Sequence, residues 1–291
     1  MSEYVATDLH GHSLFSDGRI APEQYVRARA ARGFEVIALS DHDTFAGVRR
    51  AAAVATELDI TLVPAMEATS FIHFGGEDAQ QIHVLAYYSP DRLAAGGLEK
   101  TMMWQRAVEV HRRWRAFVID WLHSLPAQER LTLDYDGAIE TRDGFDFPGL
   151  QSLINVIMAR HPALYQLFRR HHVGFWTASP ALFGWSPEQL IDTIRADGGL
   201  DIVAHPGRVR DKARMAKVLE YASGLEVYTS RHRHNIAAEF RAYAEAKGKH
   251  WTASSDDHQH RDYVGPPHGT PRRTVDAILD GGVATQERLA V

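Results

Sequence analysis

Asp8-Leu9-His10-Gly11-His12-Ser13-Leu14-Phe15-Ser16-Asp17-Gly18 sets a His-x-His pair at the end of an apolar run, with a carboxylate five residues on. Residues two apart on a β-strand project from one face, so His10 and His12 can grip one ion together. Asp17 falls in the loop that follows and can fold back onto a neighbouring ion. Alternate histidines on a strand are also at home in solvent or in a satisfied core, so this stretch alone leaves both readings open.

Its recurrence down the chain decides between them. Residues 36–40 are apolar and lead into Asp41-His42-Asp43; residues 60–66 lead into Glu67; residues 82–88 carry His83 within them. Residues 200–204 end in His205-Pro206-Gly207-Arg208, residues 225–228 run into Arg231-His232, and residues 251–255 end in Asp256-Asp257-His258. Seven short apolar runs thus deliver His, Asp or Glu at or near a strand end. Helical patterns at 21–32, 45–57, 187–197, 214–223 and 237–247 separate them, with Pro22, Ser186 and Pro187 as start signals. Strands alternating with helices predict a parallel β/α sheet, and in β/α barrels functional side chains gather where the strands end. The pattern predicts a multi-metal site.

Composition narrows the alternatives. Hydrophobic residues make up 45%, ample for a large core, and the length suits either two domains or one barrel. No apolar run is long enough for a membrane helix, and the first strand starts too early for a signal peptide, so a cytoplasmic location is expected. The chain has no cysteine, which excludes disulfides and thiolate metal sites. A net charge of −5 argues against an extended nucleic-acid surface, yet bound divalent ions can reverse the local sign inside a pocket. Oligomeric state is not legible.

One break interrupts the alternation. Residues 99–125 read as a long amphipathic helix with Trp104, Val108, Phe117, Val118, Trp121 and Leu122 at helical spacing, for which core packing is the simplest account. A turn-rich stretch, a second apolar segment and the basic run Arg169-Arg170-His171-His172 follow. We therefore expect a barrel from residues 1–96 and 186–291, with 97–185 as a mostly helical insertion over its mouth, shaping the substrate pocket.

Together these motifs resemble the PHP (polymerase and histidinol phosphatase) family of metal-dependent phosphoesterases. The resemblance rests on His10-x-His12 with Ser16-Asp17-Gly18, Asp41-His42-Asp43, Ala204-His205-Pro206 and Ser255-Asp256-x-His258, with Glu67 and His83 in order between the second and third. It implies a distorted seven-stranded β/α barrel and a trinuclear centre. One ion would be held by His10, His12, Glu67 and Asp256, a second by Asp17, His42 and His258, and a third by Glu67, His83 and His205. Nitrogen and carboxylate ligands without sulfur suit Mn²⁺, Zn²⁺ or Fe²⁺, and the family favours Mn²⁺. Asp8, Asp41 and Asp43 could orient ligand imidazoles, or simply cap strand ends.

The implied chemistry is hydrolysis of a small phosphate ester by a metal-bridging hydroxide. Arg208 and Arg231 are placed to neutralise the phosphoryl group, and His232 to protonate the leaving alkoxide; a loop position at the surface is the other reading of each. Nucleotide-type substrates such as nucleoside 3′,5′-bisphosphates lead. Relatives acting on them carry an Arg-Pro-His-like motif in the insertion, whereas this chain reads Phe147-Pro-Gly-Leu-Gln-Ser-Leu153, leaving Arg170 and its neighbours as substitutes. A sugar cyclic phosphate is the closest rival. A C–N hydrolase on a similar barrel is another, although none of the five lysines sits at an expected strand end where it could bridge metals.

Overall fold

The structure is a computed structural model that describes residues 3–124, 168, 174–258 and 269–281. Two short strands, β1 (Tyr4–Val5) and β9 (Thr270–Pro271), pair antiparallel. The other seven form one sheet in chain order: β2 (Thr7–Asp8), β3 (Val36–Leu39), β4 (Thr61–Ile72), β5 (Gln80–Tyr87), β6 (Leu200–Val203), β7 (Gly224–Tyr228) and β8 (His250–Ala253). The sheet curls until its edges meet. Asp256 N–H donates to His10 O (2.8 Å), His12 N–H donates to Asp257 O (3.1 Å), and Thr270 bridges Thr7 to Ala253 through its hydroxyl. This is the nearly closed seven-stranded barrel of the α/β class that the sequence predicts.

The sheet departs from expectation in one respect, being mixed and not parallel. β5 runs antiparallel to both β4 and β6. Only residues 73–79 link β4 to β5, too few for a crossover, which needs a dozen or more. His73 and Gly75, both at positive φ, reverse the chain there. Glu67 and His83 consequently lie within strands of one ladder, on the same face and diagonal to each other, Glu67 opposite Leu85 and His83 opposite Thr69.

Helices α1 (Pro22–Ala30), α2 (Val48–Glu57), α3 (Pro90–Ala94), α4 (Met102–Ser124), α5 (Pro180–Phe183), α6 (Pro187–Ala196), α7 (Lys212–Tyr221), α8 (His234–Ala246) and α9 (Arg272–Leu279) accompany the sheet. Both faces of the strands are buried, so the runs read as continuously apolar. Alternate residues nevertheless part company. Ile37, Leu39, Leu225 and Val227 pack outward beneath the helices, while Val36, Ala38, Val63, Ala65, Leu85, Tyr87 and Ile202 fill the barrel. Val275 and Ile278 of α9 join that inner cluster beside the residues that begin the parallel strands.

In α4 the buried row is Met103, Ala107 and Val110, continuing to Trp121, and Val108 is half exposed. Of the expected stripe, Trp121 is buried and Trp104 and Phe117 pack partly buried against core clusters, so Val108 is the exception among the described residues; Asp197 accepts from the N–H groups of Met102 and Met103 and caps the helix start. No helix among the described residues is long and apolar enough to cross a membrane.

Candidate metal centre

The inward rows of the strands carry the chemistry. Val63 and Ala65 lead to Glu67; Tyr87 and Leu85 lead, on the reversed β5, to His83; Glu226 faces inward because its neighbours Leu225 and Val227 face out. His10 and His12 follow β2, His42 follows β3, His205 follows β6, and Asp256 and His258 follow β8.

All nine expected ligands converge around Glu67. Its Oε2 lies 3.1 Å from His10 Nε2, 3.3 Å from His12 Nε2 and 3.1 Å from His42 Nδ1. Its Oε1 meets His83 Nδ1 at 2.8 Å and His205 Nε2 at 2.9 Å. Asp17 Oδ2 stands 3.2 Å from His258 Nε2 and 3.6 Å from His42 Nε2. Three groups of atoms are close enough to share an ion: His10, His12, Glu67 and Asp256; His12, Asp17, His42 and His258; and His42, Glu67 and His83. The first reproduces the expected partition, the second adds His12, and the third has His42 where His205 was expected.

Three observations fit this cluster to divalent cations. Glu67 Oε2 and Asp256 Oδ1 are buried and accept no well-aligned hydrogen bond, having only crowded imidazole nitrogens at 3.1–3.7 Å, an expensive arrangement for carboxylate oxygens unless a cation faces them. The Nε2 atoms of His10 and His12 approach to 3.2 Å, aimed at the same carboxylates. Finally, burial pushes His12 down, yet hydrogen bonds to Asp256 and Glu67 outweigh it and raise the imidazole to about 10. Such proton affinity measures the negative potential that a cation would meet. Burial opposes the ionised form of Glu67 as well, and the histidines around it hold the carboxylate well below its usual range.

His205 adopts a left-handed conformation (φ 31°, ψ 55°) directly before Pro206, a backbone state concentrated at functional sites. Its N–H donates to Glu226 Oε2 at 2.8 Å, while Glu226 Oε1 accepts from His10 Nδ1 at 2.9 Å. One buried carboxylate therefore fixes both the tautomer of His10 and the turn that delivers His205.

The PHP domain family matches residues 8–140 of the chain. A 5′-3′ exoribonuclease from Haemophilus influenzae is 30% identical over 207 residues, covering 69% of each chain. The chain belongs to the PHP family. A 3′,5′-nucleoside bisphosphate phosphatase from Chromobacterium violaceum is 26% identical over 270 residues, 86% of each chain. Among solved structures, a candidate metal-dependent phosphoesterase from Bifidobacterium adolescentis superposes with a TM-score of 0.66 at 21% identity, covering 97% of this chain and 98% of its own; it shares the PHP-type fold.

Several expected roles are redistributed in this PHP barrel. Asp8, Asp41 and Asp43 do not orient imidazoles through hydrogen bonds. Asp8 accepts from Ser255 N–H and Oγ and pairs with buried Arg29. Asp41 accepts from Ser13 N–H, Ser13 Oγ and Ser16 Oγ, pinning the loop before Asp17. Asp43 accepts from Thr69 N–H and from Arg106 of α4.

His232 is held at both ring nitrogens. Its Nδ1 donates to Val227 O (2.9 Å) and its Nε2 accepts from Gly207 N–H (3.1 Å), so Nε2 holds no proton to give. Burial lowers its pKa further. It braces the turn after His205 from behind. Arg231 pairs with Asp256 and contacts His258, and exposed Arg208 reaches the same cavity. Arg170 lies outside the described residues.

Two residues escaped the sequence reading. Glu226 sits alone between Leu225 and Val227, and a charge inside an apolar strand demands a buried partner; that was the available signal. Arg106 gave none, since arginine on a long helix ordinarily faces water.

Proposed function

We propose that this PHP protein, a metal-dependent phosphoesterase, releases phosphate from a nucleotide-type ester, with nucleoside 3′,5′-bisphosphates as the leading substrates. The observation that carries the reading is a polar cavity of about 300 Å³ that sets Arg208 and Arg231 against Asp17, His42, Glu67, His83, His205, Asp256 and His258. Two guanidinium groups facing a cluster of nitrogen and carboxylate donors suit a dianionic group held between cations and arginines. The bisphosphate phosphatase and exoribonuclease relatives support the substrate class.

His10, His12, Asp17, His42, Glu67, His83, His205, Asp256 and His258 would hold the ions, three in number and Mn²⁺ by first choice. Bound there, divalent ions supply Lewis acidity and lower the pKa of water. The protein's own part is to orient and neutralise. Arg208 meets the phosphoryl oxygens, Arg231 keeps Asp256 aimed inward, and Glu226 holds His10 and His205 in place. Residues 97–185 serve as the substrate cap, and a cytoplasmic location suits a small phosphorylated metabolite.

The test is phosphate release by Mn²⁺-loaded protein from nucleoside 3′,5′-bisphosphates, mononucleotides, sugar cyclic phosphates and histidinol phosphate. His205→Ala is the control. Preferred turnover of a bisphosphate, lost in the variant, is expected. Preference for a cyclic phosphate would replace the substrate class, and no release from any nucleotide would overturn the nucleotide reading.

A further inference from the structure

Next to the polar cavity, and sharing Asp17, His42 and His83 with it, lies a second space of about 220 Å³ with a different character. Its wall brings together Phe15 from the Asp17 loop, Trp114 from α4, and Phe175 and Trp176 from the segment before α5. Neither lysine nor arginine lines it among the described residues, whereas both cavity arginines stand on the phosphoryl side.

The aromatic wall is rigidly backed. Phe175 and Phe183 are buried, and they meet Trp114 and Trp176 at steep angles: Trp114 to Phe175 at 5.2 Å and 73°, Trp176 to Phe183 at 4.7 Å and 71°. Trp114 and Trp176 are only partly buried, each leaving indole surface beside a cavity that opens onto the metal-ligating histidines. A volume below the roughly 300–1,000 Å³ usual for drug-sized ligands admits one ring system, not a long chain.

We propose that this groove is the leaving-group subsite and takes a flat, uncharged aromatic ring, a nucleobase in the case of a nucleotide ester, stacked on Trp114 and Trp176. The two tryptophans are then specificity-determining residues. The inference rests on the phosphoesterase reading and adds to it a division of labour. The polar cavity recognises phosphate whatever is attached, and the groove distinguishes a base-bearing ester from a bare sugar phosphate.

Two measurements on the metal-loaded, full-length protein test it. In the first, kcat/KM is compared for adenosine 3′,5′-bisphosphate and for its abasic analogue with hydrogen in place of the base. Trp114→Ala and Trp176→Ala should each lower the adenosine value by about 5- to 150-fold, the range for loss of one base–aromatic stack, and leave the abasic value unchanged. Trp114→Phe should retain most of the preference. Equal losses on both esters would make the wall purely structural and overturn the inference.

In the second, calorimetric titration compares adenosine 5′-monophosphate with ribose 5-phosphate. The parent protein should bind the adenosine compound more tightly, and Trp114→Ala should erase the difference. Equal affinity in the parent overturns the groove assignment. Should neither ester be hydrolysed, the nucleotide-phosphatase reading fails by itself, and the titration still decides the groove.

Discussion

Glu226 accepts the Nδ1 proton of His10 across 2.9 Å, with both side chains wholly buried. That bond leaves the Nε2 lone pair of His10 aimed at Glu67 and Asp256. Glu226→Gln keeps the shape but turns an amide toward either His10 or the N–H of His205. Metal affinity should fall about 10- to 100-fold, as for other carboxylates that orient metal-bound histidines. Competition with a chromophoric chelator reads this directly; unchanged affinity would reduce Glu226 to a packing residue.

His232, with its protonless Nε2 against Gly207, makes a different prediction. His232→Ala should cost about 1–3 kcal/mol of stability by stripping partners from Gly207 N–H and Val227 O. Turnover should drop as the His205–Arg208 turn loosens, while the pH–rate profile keeps both limbs. Disappearance of the basic limb would restore His232 as the proton donor.

Arg106 reaches from α4 to Asp43 at 2.8 Å, and the two side chains are 2% and 3% exposed. It also donates to the carbonyls of Thr69 and Leu182. Arg106→Met should destabilise the protein by about 3–5 kcal/mol, because it strands a buried carboxylate. Adding Asp43→Asn should recover part of the loss. Denaturant titration of the single and double variants checks this, and strictly additive effects would deny the coupling.

His250 lies at the start of β8, outside the metal cluster, with Nδ1 against Thr274. Burial, aided by Arg273, pushes its pKa down to about 4. An unfolded chain binds a proton there near the ordinary value of about 6.5, which the folded form refuses until about pH 4. Its contribution to stability is therefore complete above about pH 6.5 and is lost as the pH falls through that window. His250→Gln should consequently lose less thermal stability than the parent between about pH 7.5 and about pH 5. Parallel pH curves for the two proteins would remove His250 from the acid response.

Much of this was readable because both signals are local. Short apolar runs ending in His, Asp or Glu reveal strands and their functional ends, and a barrel brings those ends together whatever their separation in the chain. Strand direction is another matter. Periodicity is identical for a strand read either way, so β5 passed for a parallel strand although the 73–79 link was too short for one. The roles of Asp8, Asp41 and Asp43 were hidden for a related reason. A carboxylate takes its partner from whichever strand lies alongside, and the Ser255 that occupies Asp8 is 247 residues away. Val108 was misassigned because helical spacing alone does not mark where the edge of a buried stripe falls, and Val108 lies just beyond it.

The seam between β2 and β8 joins the two distant parts of the sequence, through Asp256 N–H to His10 O and His12 N–H to Asp257 O. His10 and His12 emerge from the ribosome well before Asp256 and His258, which come after the other six strands of the sheet in the chain. A nascent chain that stops short of Asp256 thus carries an incomplete set of ligands. β8 is the last strand of the barrel sheet to be made, so a complete ligand set, and with it any choice among metals, waits on the synthesis of that strand.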